Sequence, residues 1–141
     1  MKCYYLFLDD VRLPKEAYEY KNTSLYIKQE WTIARSYNDF VRIVSERYAN
    51  GFIPCVLSLD HDLVPEHYFQ GALSGFTKFD ESYVSVPTGW HCLKWFLLFL
   101  RENDLKIPLI LIHSKNKAGA ENMMALIDKY YKDINGEWQV G

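Results

Sequence analysis

Three short apolar runs that each end abruptly in polar chemistry constrain this chain more than any other feature. Tyr4-Tyr5-Leu6-Phe7-Leu8 ends in Asp9-Asp10. Cys55-Val56-Leu57 leads into Ser58-Leu59-Asp60-His61-Asp62-Leu63, and Leu109-Ile110-Leu111-Ile112 ends in His113-Ser114. Runs that are apolar at every position, rather than at every second one, read as strands buried on both faces, as in a parallel sheet covered by helices. Carboxylates and imidazoles at the ends of such strands are poor core material. They suit a polar crevice outside the carboxyl ends of the strands, where open α/β sheets bind ligands. The three ends are read as one site.

Taken in order, Cys3 to Leu8 is the first strand, and Arg12 and Pro14 follow in a loop. Residues 15–30 are polar with scattered Tyr and no sustained helical stripe, so they read as a long surface connection with room for a short helical turn. Trp31 to Ala34 is a short second strand. Phe40, Val41, Val44 and Tyr48 recur at helical spacing, with Asn38 or Asp39 as cap and Asn50-Gly51 as stop. Pro54 opens a third strand that ends at Asp60. Thr88 caps a helix from Gly89 to about Asn103, whose apolar stripe is Trp90, Leu93, Leu97 and Leu100. Pro108 opens a fourth strand through Ile112. A last helix starts near Asn116 or Gly119, with Met123, Leu126, Ile127 and Tyr130 facing inward, and Glu137 to Val140 is a candidate edge strand.

Strands alternating with helices imply a parallel sheet with right-handed crossovers. The expected fold is α/β and flavodoxin-like, three layers deep, with strand order 2-1-3-4. That order sets strands 1 and 3 side by side at the switch point. Residues 64–87 stand apart from this scheme. The segment carries Tyr68, Phe69, Phe76, Phe79 and Tyr83 and is too long for an ordinary connection. It reads either as a lid over the strand-3 site or as an aromatic cluster covering a sheet edge. The chain of 141 residues is expected to form one domain, 1–141, with 64–87 inserted in it.

Composition excludes several classes of function. The net charge of −2 gives no basic footprint for non-specific nucleic-acid binding, although a local patch for one phosphate end remains open. The most apolar run, Trp95 to Leu100, falls far short of the roughly 20 residues that span a bilayer, so no membrane role is expected. Cys3, Cys55 and Cys92 have no zinc-like or C-x-x-C spacing and read as small core residues in a reducing compartment. A cytoplasmic protein is the expectation.

The strand order would bring Asp9, Asp10, Asp60 and Asp62 close together. Two carboxylates about 5 Å apart repel by roughly 3 kcal/mol at an effective dielectric of about 20. Such a cluster binds a cation or holds a proton. All-oxygen ligands favour Mg²⁺ or Mn²⁺. The plainer alternative is helix capping or a solvated turn. Arg12 either pairs with the acidic residues or grips a phosphate bidentately. His61 and His113, from two strand ends, could flank one ligand and divide acid and base roles, or could be hydrogen-bonded structural residues. Ser114 and Asn116 could donate to a phosphate, with helix capping as the alternative for Asn116. His67 and His91 stand alone and receive no role.

Leu8-Asp9-Asp10-Val11-Arg12-Leu13-Pro14, Trp31, Ser58-Leu59-Asp60-His61-Asp62-Leu63, Thr88-Gly89, His113-Ser114-Lys115-Asn116 and Gly119-Ala120-Glu121-Asn122-Met123 together resemble the cyclic-phosphate processing receiver domain family, a divergent branch of the response-regulator receiver fold. The resemblance implies a receiver fold and a role in handling cyclic phosphate ends of RNA. By that pattern Asp9 and Asp10 look like the metal-binding pair and Asp60 like the phosphoacceptor, with the Asp62 carbonyl facing the metal. His113 takes the place of the switch hydroxyl. Three departures stand out: the receiver lysine has no counterpart, residues 64–87 look inserted, and Lys117 stands where the family often has Pro.

The expectation is a metal-dependent phosphoesterase acting on a cyclic or terminal phosphate of a small molecule or RNA terminus. Asp9, Asp10, Asp60 and Asp62 would hold Mg²⁺ or Mn²⁺. Asp60, His61 and His113 would do the chemistry, and Arg12, Ser114 and Asn116 would bind phosphate. Asp60 could instead attack directly and form an aspartyl-phosphate. The alternatives are a non-catalytic receiver-like module that binds a phosphorylated ligand or a partner protein, and an ordinary phosphoacceptor receiver.

Overall fold

A computed structural model describes residues 1–134. Four strands, β1 (Lys2–Leu8), β2 (Trp31–Ala34), β3 (Phe52–Leu59) and β4 (Leu109–Ile112), form one parallel sheet in the order β2-β1-β3-β4, as expected. The register pairs Leu8 with Ala34 and Leu59, and Leu59 with Ile112. The first residue beyond each strand therefore falls on one line across the sheet. The ladder runs one bond further there, with Asp9 N–H donating to Ala34 C=O (3.0 Å), Asp60 N–H to Leu8 C=O (2.9 Å) and His113 N–H to Leu59 C=O (3.0 Å). Asp9, Asp60 and His113 are fixed by sheet backbone rather than by loops.

Strand alternation divides the core between the two faces of the sheet. Leu6, Leu8, Leu57 and Leu59 pack with Phe40 and Val44 of α3 (Tyr37–Ala49), Leu93, Phe96 and Leu100 of α5 (Gly89–Glu102) and Met123 of α6 (Lys117–Ile134). Phe7 packs instead with Ala17 of α1 (Pro14–Lys21), Tyr26 of α2 (Leu25–Lys28) and Trp31. Helices on both faces give the three layers of a flavodoxin-like α/β fold. Among the described residues no helix is long and apolar enough to cross a membrane.

Several local expectations need correction. Residues 15–30 are not a bare connection. Pro14 starts α1, the Glu16 carboxylate accepts the Leu13 N–H at 3.0 Å, and Asn22, in a left-handed conformation, ends the helix. These two helices bury only Ala17 and Tyr26, too few apolar positions to show a stripe. The cap of α3 is Ser36, whose hydroxyl accepts the Asp39 N–H at 3.1 Å. Strand β3 begins at Phe52 and contains Pro54; the pairing slips between Tyr4 and Tyr5 opposite it, and this irregularity accommodates the missing N–H. Of the cysteines only Cys92 is fully buried; Cys3 is exposed and Cys55 half-buried. Asn116 precedes α6, with its side-chain carbonyl accepting the Gly119 N–H at 3.0 Å. The candidate strand 137–140 lies outside the described residues.

The segment 64–87 is folded rather than an open loop. It contains α4 (Pro65–Ala72) and a 3-10 turn (Glu81–Tyr83). His67 is buried and pins both ends of the segment. Its Nδ1 accepts the Leu63 N–H at 2.8 Å, which leaves Nε2–H to donate to the Val86 carbonyl at 2.7 Å. Glu66 accepts from both the N–H and the hydroxyl of Ser85.

Candidate functional site

Asp9 is fully buried, and both of its oxygens are occupied. Oδ1 accepts the Val11 and Arg12 N–H groups at 3.0 and 2.8 Å, and Oδ2 accepts from His113 Nε2 at 3.0 Å and Arg12 Nη1 at 3.4 Å. Burial alone would raise its pKa, but these donors outweigh burial and hold it below the usual carboxylate range. Arg35, just beyond β2, donates to the carbonyls of Asp9 (3.1 Å) and Arg12 (2.8 Å) and clamps the loop between them.

His113 is fully buried, with its ring stacked on Phe7 at 4.3 Å. Burial lowers its pKa against the opposing pull of Asp9, which keeps the ring neutral. An ionised Asp9 can only accept, so the proton sits on Nε2 and Nδ1 must accept. The Ser58 hydroxyl, 2.7 Å away, donates to Nδ1, and the Tyr26 hydroxyl, 2.6 Å from Ser58, donates in turn. A directed chain, Tyr26 to Ser58 to His113 to Asp9, thus runs beneath the site. Tyr20 donates to the His113 carbonyl at 2.7 Å.

Above this floor lies a pocket of about 390 Å³ lined in part by Asp10, Arg12, Asp60, Asp62, Ser114 and Lys115. Asp60 is 5% exposed. Its Oδ1 accepts the His61 N–H at 2.8 Å, and its Oδ2 lies 3.6 Å from Arg12 Nη1. Burial and the neighbouring Asp9 charge push its pKa up to about 8, against the opposing effect of Arg12. Burial and Asp9 also raise the pKa of Asp10. The carboxylate cluster is therefore short of positive charge. One atom each of Asp9, Asp60 and His113 lie within 4.8 Å of one another, a spacing that could hold an ion. Asp9 and His113 already satisfy each other, however, so the carboxylates open to the pocket, Asp10 and Asp60, are the better ligands. Asp62 lines the same pocket.

Arg12 is paired with Asp9 and Asp60 yet its side chain is 26% exposed, so it can meet a ligand as well. The Ser114 hydroxyl accepts the Asn116 N–H at 3.0 Å, which leaves its proton for a ligand. Lys115 lies over the Tyr20 ring at 4.6 Å, beside the same pocket. Asn116, expected to touch phosphate, has its side chain engaged instead: Oδ1 caps α6, and Nδ2 donates to Asp62 at 3.0 Å.

His61 and His113 do not flank the pocket as an acid–base pair. His61 is fully buried behind it, with Nδ1 at 2.6 Å from Asp62 and Nε2 at 2.9 Å from Glu81. Burial alone would lower its pKa, but the two carboxylates outweigh it and raise the value to about 9, so the ring is an imidazolium held between them. Glu81 also accepts from Thr88 at 2.8 Å and from Asn122 at 2.7 Å. A methyl at Gly119 would overlap the His61 ring, and one at Gly89 would overlap the Asp60 carbonyl, so both positions require the absence of a Cβ.

The parallel sheet in the order β2-β1-β3-β4 is the one that the sequence resemblance implies. Comparison with protein families matches residues 4–129 to the cyclic-phosphate processing receiver domain. The chain belongs to this family. No curated protein and no solved structure matches it. In this receiver domain the pocket gathers Asp10, Arg12, Asp60, Asp62, Ser114 and Asn116 from the sequence-derived candidates, while Asp9, His61 and His113 stand behind it. Tyr20, Tyr26, Arg35 and Glu81 were not foreseen. Each acts on a partner distant in sequence, and Tyr20 and Tyr26 lie in the stretch whose helices carry no stripe. Lys115 adjoins Ser114 in sequence, and its place over Tyr20 at the pocket comes from the structure.

Proposed function

We propose that this receiver domain hydrolyses a cyclic or terminal phosphoester in the pocket at the strand ends, with an RNA terminus or a small phosphorylated molecule as substrate in a cytoplasmic setting. One observation carries the reading: two cations, Arg12 and Lys115, and the Ser114 hydroxyl face the same 390 Å³ space as Asp10, Asp60 and Asp62. Anion-binding and proton-handling groups thus converge where a phosphate can reach both. Arg12 neutralises phosphate charge, and the Ser114 hydroxyl donates to a phosphate oxygen. Asp60, the most buried of the three carboxyls at the pocket, would hold a divalent cation in its ionised form against the bound phosphate; without that ion it keeps a proton at neutral pH.

The charge deficit of the carboxylates suits a divalent cation, with Mg²⁺ or Mn²⁺ held by Asp10 and Asp60 beside Asp62. Such an ion supplies charge neutralisation at the phosphoryl oxygens. The Tyr26–Ser58–His113 chain keeps Asp9 ionised and fixed, and Asp9 in turn orients Arg12.

The test is ³¹P NMR of the protein with a 2′,3′-cyclic nucleotide and Mg²⁺, beside Asp60→Asn. Conversion to a monophosphate that the variant abolishes is the expected result. The sealing of both histidines favours a second reading, a module that binds a phosphorylated ligand without turnover. Line broadening of the nucleotide signal with no new resonance would replace the first reading with the second.

A further inference from the structure

The pocket has a wall that the phosphate chemistry leaves unused. Tyr68, on α4, and Phe76, just beyond it, line the same space as Arg12 and Asp60, with ring centroids 5.3 Å apart. Tyr68 is 55% exposed although it borders a concave site, whereas Phe79 of the same segment is buried against His61. Phe76 is held in place by unusual means. Its backbone has a left-handed φ of 62°, uncommon for an aromatic residue, and its N–H donates to the Gly71 carbonyl at 2.9 Å. A Cβ at Gly71 would stand 2.9 Å from the Phe76 ring and 3.1 Å from the Asn116 amide, so the glycine lets the helix end, the ring and the site approach one another. Strain of this kind persists where the surroundings over-determine it, as at ligand sites.

We propose that Tyr68, backed by Phe76, forms a base-stacking subsite, so that the pocket takes a nucleotide rather than a bare phosphoester. This deepens the phosphoester reading and rests on it. The base lies against the Tyr68 face, and the phosphate meets Arg12 and Ser114. Asp62 lies in the same pocket and suits the sugar: both of its hydrogen bonds, to His61 and Asn116, fall on Oδ1, which leaves Oδ2 to accept from the 5′-hydroxyl, the free hydroxyl of a 2′,3′-cyclic nucleotide. That hydroxyl acceptor favours a nucleotide over a phosphorylated aromatic side chain, which brings no sugar. A pocket of about 390 Å³ falls within the usual range for small-molecule sites. Inserting 64–87 therefore sets ligand choice, and the strand ends supply the chemistry.

Calorimetric titration of Mg²⁺-loaded protein with 2′,3′-cyclic AMP and with ribose 2′,3′-cyclic phosphate, which lacks a base, tests the subsite. The nucleotide should bind about tenfold tighter or better, the range that base–aromatic stacking supplies. Tyr68→Ala should erase that preference and Tyr68→Phe should keep it. Equal binding of the two compounds, or a preference that survives Tyr68→Ala, overturns the base subsite and leaves the phosphoester reading standing. If neither compound binds, that reading fails and the subsite fails with it. The Tyr68 side chain is exposed, so the alanine variant retains the fold.

Discussion

The two buried histidines behind the pocket both sit just beyond strand ends, yet one is neutral and the other cationic. His113 stacks on Phe7 with one carboxylate, Asp9, and one hydroxyl, Ser58, as partners. His61 lies under the inserted segment between two carboxylates, Asp62 and Glu81. Burial pushes both pKa values down. A single carboxylate does not overcome that for His113, while two overcome it for His61. With burial lowering both, the number of carboxylate neighbours makes the difference between them. The lesson extends to the walls they support. The His113 side is a chain of neutral donors that ends on ionised Asp9 and is fixed by the sheet, and the His61 side is an ion-pair network that holds the insertion to the sheet.

The comparison predicts unequal costs, beginning with His61. Its removal takes the shared cation from Asp62 and Glu81, both largely buried, and breaking a buried pair this way costs up to about 3–5 kcal/mol. Urea denaturation of His61→Ala at pH 7 should show a loss of that size; a loss under about 1 kcal/mol would break the comparison. The pH dependence sharpens it. The pKa of His61 is raised on folding, from 6.5 to about 9, so its contribution is complete below pH 6.5 and is lost as pH rises through about 9. In chelated buffer the wild type should therefore lose stability across that window, Asp60 adding to the loss up to about pH 8, and His61→Gln should remove the His61 share of the slope. His67 and His91 have lowered pKa values and do not produce a loss there.

The carboxylates open to the pocket come next. Mg²⁺ at about 100 times its dissociation constant should stabilise the fold by about 2.7 kcal/mol. A melting curve should show the shift in wild type and in Tyr68→Ala but not in Asp60→Asn. A shift that survives Asp60→Asn would move the cation away from the strand ends.

Much of the fold was legible because the strands are apolar at nearly every position and the helices α3 and α5 carry clear stripes. The strand order and the grouping of Asp10, Arg12, Asp60 and Ser114 followed from topology alone. What the sequence did not reveal was which polar side chains would satisfy one another. His61, His113 and Asn116 look like ligand-facing groups at strand ends, and each is engaged by a partner from another element: Glu81, Ser58 and Asp62. Helix α1 was hidden because its entry depends on Pro14 and Glu16 rather than on periodicity. The inserted segment was hidden because its order comes from single residues, His67 and Glu81, meeting partners at both of its ends.

The smallest expected effect tests the neutral side of the comparison. In the chain from Tyr26 to Asp9 every donor has one acceptor, so the loss of one member should cost an ordinary buried hydrogen bond and not an ion pair. Ser58→Ala orphans both His113 Nδ1 and the Tyr26 hydroxyl and should cost about 1–3 kcal/mol; Tyr26→Phe removes only the terminal donor and should cost about 1 kcal/mol. The double variant should cost less than the sum, because removing Tyr26's hydroxyl together with Ser58's leaves one orphan rather than two. Ring-nitrogen NMR gives the direct readout: His113 should stay neutral at pH 6.5, protonated on Nε2, while His61 carries both protons. An imidazolium at His113 would make both walls ionic, reverse the donor order through Ser58, and remove the reason for the unequal costs.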